Sequence, residues 1–162
     1  DPGYELVQAA LAASFDVRPV PGPSAPISAL AVSGLPTDSF LYLGYLPHKS
    51  SERHNRLNEV IDQPYTLIFF ETPHRITDSL EDILSTLGNR KICVAREMTK
   101  LYEEYWRGDV SSAIEYFKSK ELAEAIKKEL AAGKSAKEAS AKLAERSGWT
   151  KKEVYALINQ IK

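Results

Sequence analysis

Twice along this chain a short apolar run stops abruptly at charged and turn-forming residues. The first is Thr66-Leu-Ile-Phe-Phe70 followed by Glu71-Thr-Pro-His-Arg75, and the second is Val94-Ala95 followed by Arg96-Glu-Met-Thr-Lys100. Short β-branched and aromatic runs bounded by turn residues read as strands. In open α/β sheets, ligands bind in the crevice beyond the carboxyl ends of the strands. Two strand ends carrying Glu and Arg are therefore the first place to look for chemistry.

Helical periodicity fills the spaces between these runs. Helices are expected at residues 4–14 (Leu6, Val7, Ala10 and Leu11 inward), Ala25–Ser33, Ser51–Ile61, Ile76–Leu87 and Asp109–Phe117. Strands are expected at Val17–Val20, Phe40–Gly44, Tyr65–Phe70 and Lys91–Ala95. Gly34 and Gly88 are helix stops, and Ser24 is an expected N-cap. Strands alternating with helices predict an α/β domain with a parallel or mixed sheet over residues 1–118. From Glu121 the sequence holds only Ala, Lys, Glu and Leu in helical rhythm. Ser135-Ala-Lys-Glu138 and Thr150-Lys-Lys-Glu153 match the capping box, in which hydroxyl and carboxylate satisfy each other's backbone donors. Three short helices follow over residues 121–162, at about 121–132, 135–147 and 150–161. Their tight spacing predicts a helix-turn-helix-like, RNA-binding-like module.

Composition constrains function only loosely. The 162 residues are 43% hydrophobic and 27% charged, with a net charge of -1, as in an ordinary globular protein. No run approaches the length needed to cross a bilayer, and no membrane partner is expected. The single cysteine, Cys93, lies in a strand-like run; it has no internal disulfide partner and reads as a small buried apolar residue, consistent with a reducing cytoplasm. His48, His54 and His74 lack metal-ligand spacing, so no metal is expected. Gly-x-Gly-x-x-Gly and Gly-x-Ser-x-Gly are both absent, which removes the ordinary dinucleotide-binding and hydrolase readings. The opening Asp1-Pro-Gly-Tyr is turn chemistry without an initiator Met, and residue 1 is expected to be an internal position of a longer protein.

Four constellations admit two readings each. Val20-Pro-Gly-Pro-Ser-Ala25 is either a rigid strand-to-helix turn or one whose Ser24 and Ala25 amides meet a ligand. Lys49, Arg53 and Arg56, with His48 and His54, form either a phosphate-contacting cluster or a solvated helix face. The acidic and basic groups at the strand ends are either a catalytic set or structural ion pairs. Tyr102, Tyr105 and Trp106 read as core or interface aromatics, with base stacking as the alternative.

Taken in order, Asp1-Pro-Gly-Tyr, Val20-Pro-Gly-Pro-Ser-Ala25, Gly34-Leu-Pro-Thr-Asp38, Gly44-Tyr-Leu-Pro-x-Lys49, Leu67–Arg75 and Ala95–Lys100 resemble the bacterial 16S rRNA cytidine-2'-O-methyltransferase family. That family lies within the tetrapyrrole-methylase-like class of S-adenosylmethionine enzymes. The resemblance spans about residues 1–118 and implies a cofactor held between two α/β domains, of which the N-terminal one is absent from this sequence, so that the chain alone is expected to be inactive. It also implies a homodimer and 16S rRNA of the small ribosomal subunit as partner. Ser24, Ala25, Glu71 and Met98 fall at the positions expected to line the cofactor pocket. In the implied reaction a ribose 2'-hydroxyl attacks the sulfonium methyl. Glu97 is the expected base or orienting acceptor, with Lys100 and Arg96 holding phosphate or favouring hydroxyl ionisation, and Lys49, Arg53 and Arg75 contacting RNA. A docking module without chemistry and a small-molecule methylase acting on tetrapyrrole precursors are the alternatives. One departure is expected to matter. Family members carry a Lys-Gly-Glu-started apolar strand before the helical tail, whereas Tyr116-Phe-Lys-Ser-Lys120 here runs straight into Glu121-Leu-Ala. Either a segment has been closed up in the numbering or the sheet is one strand short.

Overall fold

The computed structural model describes residues 3–161; Asp1 and Pro2 of the opening turn lie outside the described residues. The elements in chain order are α1 (Tyr4–Ala12), α2 (Ala25–Ser33), β1 (Phe40–Tyr45), α3 (Ser50–Asn58), β2 (Thr66–Phe70), α4 (Ile76–Leu87), β3 (Lys91–Arg96), β4 (Glu104–Asp109), α5 (Val110–Ala131), α6 (Ala136–Ser147) and α7 (Lys151–Ile161). The α/β character is as the alternation predicts. The sheet is not continuous, however.

Among the described residues the strands form two separate ribbons. β1 pairs with β2 in parallel, Phe40 opposite Thr66 and Tyr42 opposite Ile68, with an irregularity before Tyr45. Gly44 sits at that irregularity with φ 68°, a left-handed conformation that glycine adopts without steric cost. β3 pairs with β4 antiparallel, from Lys91 opposite Asp109 to Arg96 opposite Glu104. Among the described residues no ladder joins β2 to β3, and α5 runs without interruption through Lys120 and Glu121.

Three expectations are corrected. Val17–Val20 is exposed irregular chain, not a strand; with no neighbouring ladder, its backbone groups are left to water. The stripe expected to face inward on α1 is exposed instead, with Leu6, Val7 and Leu11 all open to solvent and no residue of the helix buried. The first tail helix is not a separate element, since α5 spans 22 residues, Val110–Ala131, behind its N-cap Asp109. No Gly or Pro interrupts residues 110–132, so a change of composition at Ser119 gives the helix no reason to stop.

α3, α4 and α5 cover the ribbons. Leu46, Leu57 and Leu87, with Leu67, Phe69 and Ile83, form the core under the first ribbon. Leu80, Val110, Ala113, Ile114 and Phe117, with Ile92, Val94 and Trp106, form the core under the second. Asp82 of α4 fastens α3, accepting bonds from Arg53 Nε at 2.6 Å and Ser50 Oγ at 3.0 Å, with His54 Nε2 3.2 Å away. The tail has its own core of Leu122, Ile126, Ala139, Leu143, Val154 and Ile158. Both capping boxes form: Ser135 and Glu138 satisfy each other's amides, and Thr150 and Glu153 do the same.

Candidate active site

Between the ribbons lies a crevice of about 560 Å³. Its walls are α2, the two facing strands β2 and β3, and the Leu80–Ile83–Leu87 stripe of α4. Its lining is mostly apolar, and its volume falls within the range of small-molecule sites, roughly 300–1,000 Å³. Polar groups gather where the strands end: Glu71 and Thr72 after β2, and Arg96, Glu97 and Met98 at the end of β3.

Ala25, Glu71, Arg96, Glu97 and Met98 are thus brought to one hollow, as the strand-end argument anticipates; Ser24 stands next to it without lining it. Ser24 occupies the N-cap of α2 but makes no side-chain capping bond. Its carbonyl instead accepts the Ser28 amide at 2.9 Å.

Each strand-end group has a definite electrostatic setting. The Glu71 carboxylate is nearly excluded from solvent and accepts from Ser79 Oγ (2.5 Å), the Thr72 amide (2.8 Å) and Arg75 Nη2 (3.1 Å). It is a fixed anion with its acceptor capacity largely used. Arg96 lies against the crevice, yet its guanidinium turns to Glu104 (3.3 Å) and over the Phe117 ring (5.7 Å to the centroid). Glu104 in turn accepts from Lys120 at 2.5 Å and from Tyr116. Burial pushes the Glu104 carboxyl up, but Lys120, Tyr116 and Arg96 together hold it below its ordinary value. Glu97 is about half exposed, with Lys100 Nζ 3.2 Å from its carboxylate. Glu97 and Thr99 have φ of 50° and 66°, a left-handed conformation that costs a non-glycine residue roughly 1–2 kcal/mol. Such strain persists only where the surroundings impose it, and it clusters at functional sites.

The residues expected to contact RNA separate into two kinds. Lys49 is largely exposed, with only Glu52 at 3.1 Å. Arg53 is buried: besides Asp82 it donates to the carbonyls of His48 (2.7 Å) and Pro47 (3.4 Å). Arg75 donates to the carbonyls of Leu46 (2.6 Å) and Pro47 (3.0 Å) from the opposite side. The expectation of a phosphate contact at Arg53 is therefore corrected, because its donors are spent holding the 46–48 loop. Arg75 does the same work, and its Nε is a buried atom without a hydrogen-bond partner. Sequence spacing showed the basic residues but not the carbonyls of the 46–48 loop that Arg53 and Arg75 hold, those of Arg75 lying 28 and 29 residues away.

Of the aromatic trio, only Trp106 is in the core, beside Tyr116 and Phe117. Tyr102 is exposed, and Tyr105 lies under the Arg107 guanidinium. The strand that carries Tyr105 and Trp106, β4, has no counterpart among the predicted elements; its adjacent strand-favouring aromatics were the available signal. Cys93, half-buried in β3, has its thiol pushed up by burial.

Residues 1–114 match the family model described as tetrapyrrole (corrin/porphyrin) methylases. The chain is also similar to proteins named ribosomal RNA small subunit methyltransferase I. It is 47% identical over 116 residues to that of Halalkalibacterium halodurans, covering 72% of this chain and 40% of the relative. To that of Thermotoga maritima it is 44% identical over 120 residues, covering 74% and 54%. To that of Escherichia coli O157:H7 it is 45% identical over 122 residues, covering 75% and 43%. The chain therefore spans about half or less of the length of these curated relatives. The family model covers most of the chain, and the chain belongs to the tetrapyrrole (corrin/porphyrin) methylase family.

Proposed function

We propose that this chain takes part in methylating ribosomal RNA of the small subunit, with S-adenosylmethionine as donor and a cytidine ribose 2'-hydroxyl as acceptor, in a homodimeric enzyme. The observation that carries this reading is the gathering of Ala25, Glu71, Arg96, Glu97 and Met98 at one strand-end crevice, in a chain similar to proteins of that name. The crevice suits the donor: an apolar lining for its uncharged parts, with the Glu71 and Glu97 carboxylates at the strand ends to meet its positive charge. When bound, the donor supplies an electrophilic methyl group.

The protein's task is alignment and the handling of one proton. Ala25 and Met98, with Ser24 beside them, contact the donor, and the fixed Glu71 carboxylate supplies negative charge at the rim. Glu97 accepts the hydroxyl proton or orients the hydroxyl. Lys100, 3.2 Å from Glu97, favours the ionised hydroxyl, and Arg96 acts from its seat on Glu104. Lys49 meets the RNA backbone, while Arg53 and Arg75 shape the loop that presents it.

Calorimetric titration with S-adenosylhomocysteine, and then with a 16S rRNA fragment, tests this reading. Saturable binding of both is expected, with Ala25→Phe weakening the first at least tenfold by filling the mouth of the crevice. Absence of S-adenosylhomocysteine binding contradicts the reading. Cofactor binding without RNA affinity favours a small-molecule methylase, and RNA binding alone favours a docking module.

A further inference from the structure

The lysines of the tail are not equivalent. Lys134 and Lys142 both bind the Glu129 carboxylate, the latter at 2.6 Å, and so serve the tail's own packing. Lys137, Lys151 and Lys152 are exposed, and among the described residues none has a carboxylate within 4.0 Å. The acidic residues nearest them in sequence are engaged elsewhere. Glu138 is held by the Ser135 amide (2.9 Å) and hydroxyl (2.6 Å), and Glu153 by the Thr150 amide (2.8 Å) and hydroxyl (2.7 Å). Capping bonds thus hold these carboxylates, still charged, against the helix starts and out of ion-pair range of the three ammonium groups.

Lys137, Lys151 and Lys152 share one place. With Ser140 and Tyr155 they line an open hollow of about 420 Å³ where the first turn of α6 meets the first turn of α7. Tyr155 is 45% exposed at the same hollow and offers a ring face for stacking. Below it the tail core is closed, with Ala139, Val154 and Ile158 fully buried, so the hollow sits on a rigid base. α6 and α7 are joined only by Gly148, Trp149 and Thr150, and Gly148 adopts φ 73° to make the turn. In helix pairs of this kind the start of the second helix reaches the nucleic acid while the first lies against the backbone.

We infer that the hollow formed by Lys137, Lys151, Lys152 and Tyr155 is an RNA-backbone site, separate from the strand-end crevice, which anchors the substrate through two or three phosphates and one stacked base. This inference rests on the proposed rRNA substrate and assigns it a second point of contact. An acidic polypeptide would satisfy the charge but has no use for the exposed ring, which favours a polynucleotide.

The test compares the unaltered chain with Lys137→Gln/Lys151→Gln/Lys152→Gln and with the charge-matched control Lys118→Gln/Lys127→Gln/Lys128→Gln, whose residues line neither the hollow nor the crevice. Circular dichroism establishes that each is folded. Affinity for a 16S rRNA fragment is measured across a salt series, alongside calorimetry with S-adenosylhomocysteine. Each lost phosphate contact lowers the slope of log affinity against log salt by roughly 0.7–0.9. The hollow variant is expected to bind RNA about tenfold more weakly, with the slope reduced by about 2. The control should stay within about twofold, and S-adenosylhomocysteine binding should be unchanged. The inference is overturned if the hollow variant binds like the unaltered chain, if the control loses as much, if the unaltered chain binds no RNA, or if polyglutamate competes as well as RNA. Loss of S-adenosylhomocysteine binding with RNA binding intact would instead count against the proposed methylation and leave the hollow standing.

Discussion

In the tail, Ile126, Ala139, Val154 and Ile158 are fully excluded from solvent; in α1, the apolar Leu6, Val7 and Leu11 remain open to it. Both stretches have apolar residues at helical spacing. The tail helices find each other across two tight turns and close a core within about forty residues. α1 is followed by the irregular chain of residues 15–24, which brings nothing back against it. The exposed large apolar side chains accordingly lie almost wholly before the tail, with Tyr155 the one in α7. Periodicity shows that a face is suited to burial; only a partner buries it.

The sharpest way to break this comparison is a pair of truncations. Ile158→Ala empties a fully buried site and should cost about 3–4 kcal/mol, read from denaturant unfolding. Leu11→Ala, at an exposed site, should stay within about 0.5 kcal/mol. Equal losses would mean that α1 is covered after all. A second contrast sets buried against exposed ion pairs. Arg53→Ala leaves Asp82 buried without its main partner and should cost about 3 kcal/mol, whereas Lys49→Ala, across from Glu52 at the surface, should cost less than about 1 kcal/mol.

Acid should separate the regions more gently. Lys134 and Lys142 hold the Glu129 carboxyl down at about 2, below its ordinary 4.5. The Ser112 amide and the Ser111 and Ser112 side chains hold the Asp109 carboxyl at about 2, below 3.8. Both folded values are depressed, so each group's stabilisation is complete above its ordinary value and is lost as pH falls from there through about 2. Helicity followed by circular dichroism should decline across that window. Glu129→Gln should remove the part of the decline that belongs to the tail; an unchanged titration curve would show that the Lys134–Glu129–Lys142 cluster contributes nothing. The smallest effect belongs to the strained turn. Glu97→Gly should leave stability within about 0.5 kcal/mol, and Glu97→Val should cost about 1 kcal/mol, because a β-branched residue resists positive φ.

The legible parts of the fold were those specified by neighbours in sequence. α4 coincides with its predicted span because its apolar stripe and Gly88 stop are local, and both capping boxes are four-residue signals. β4 escaped notice because Glu104–Asp109 becomes a strand only through its pairing with Lys91–Arg96. The separation of the ribbons is decided by which strands pair across the chain, which no local pattern reports. At the crevice, the positions of Glu71, Glu97 and Met98 follow from strand ends and could be read. The fates of Arg53 and Arg75 could not, since both are decided by carbonyls of the 46–48 loop.

The chain has a single methionine, Met98, at the rim of the crevice. Labelling its methyl group with carbon-13 gives one resonance that reports on the place where the methyl donor is proposed to bind. On titration with S-adenosylhomocysteine that resonance should move saturably while the Trp149 indole signal of the tail stays fixed. A Met98 signal unmoved at saturating ligand, or one that moves together with Trp149, would contradict the strand-end crevice as the cofactor site.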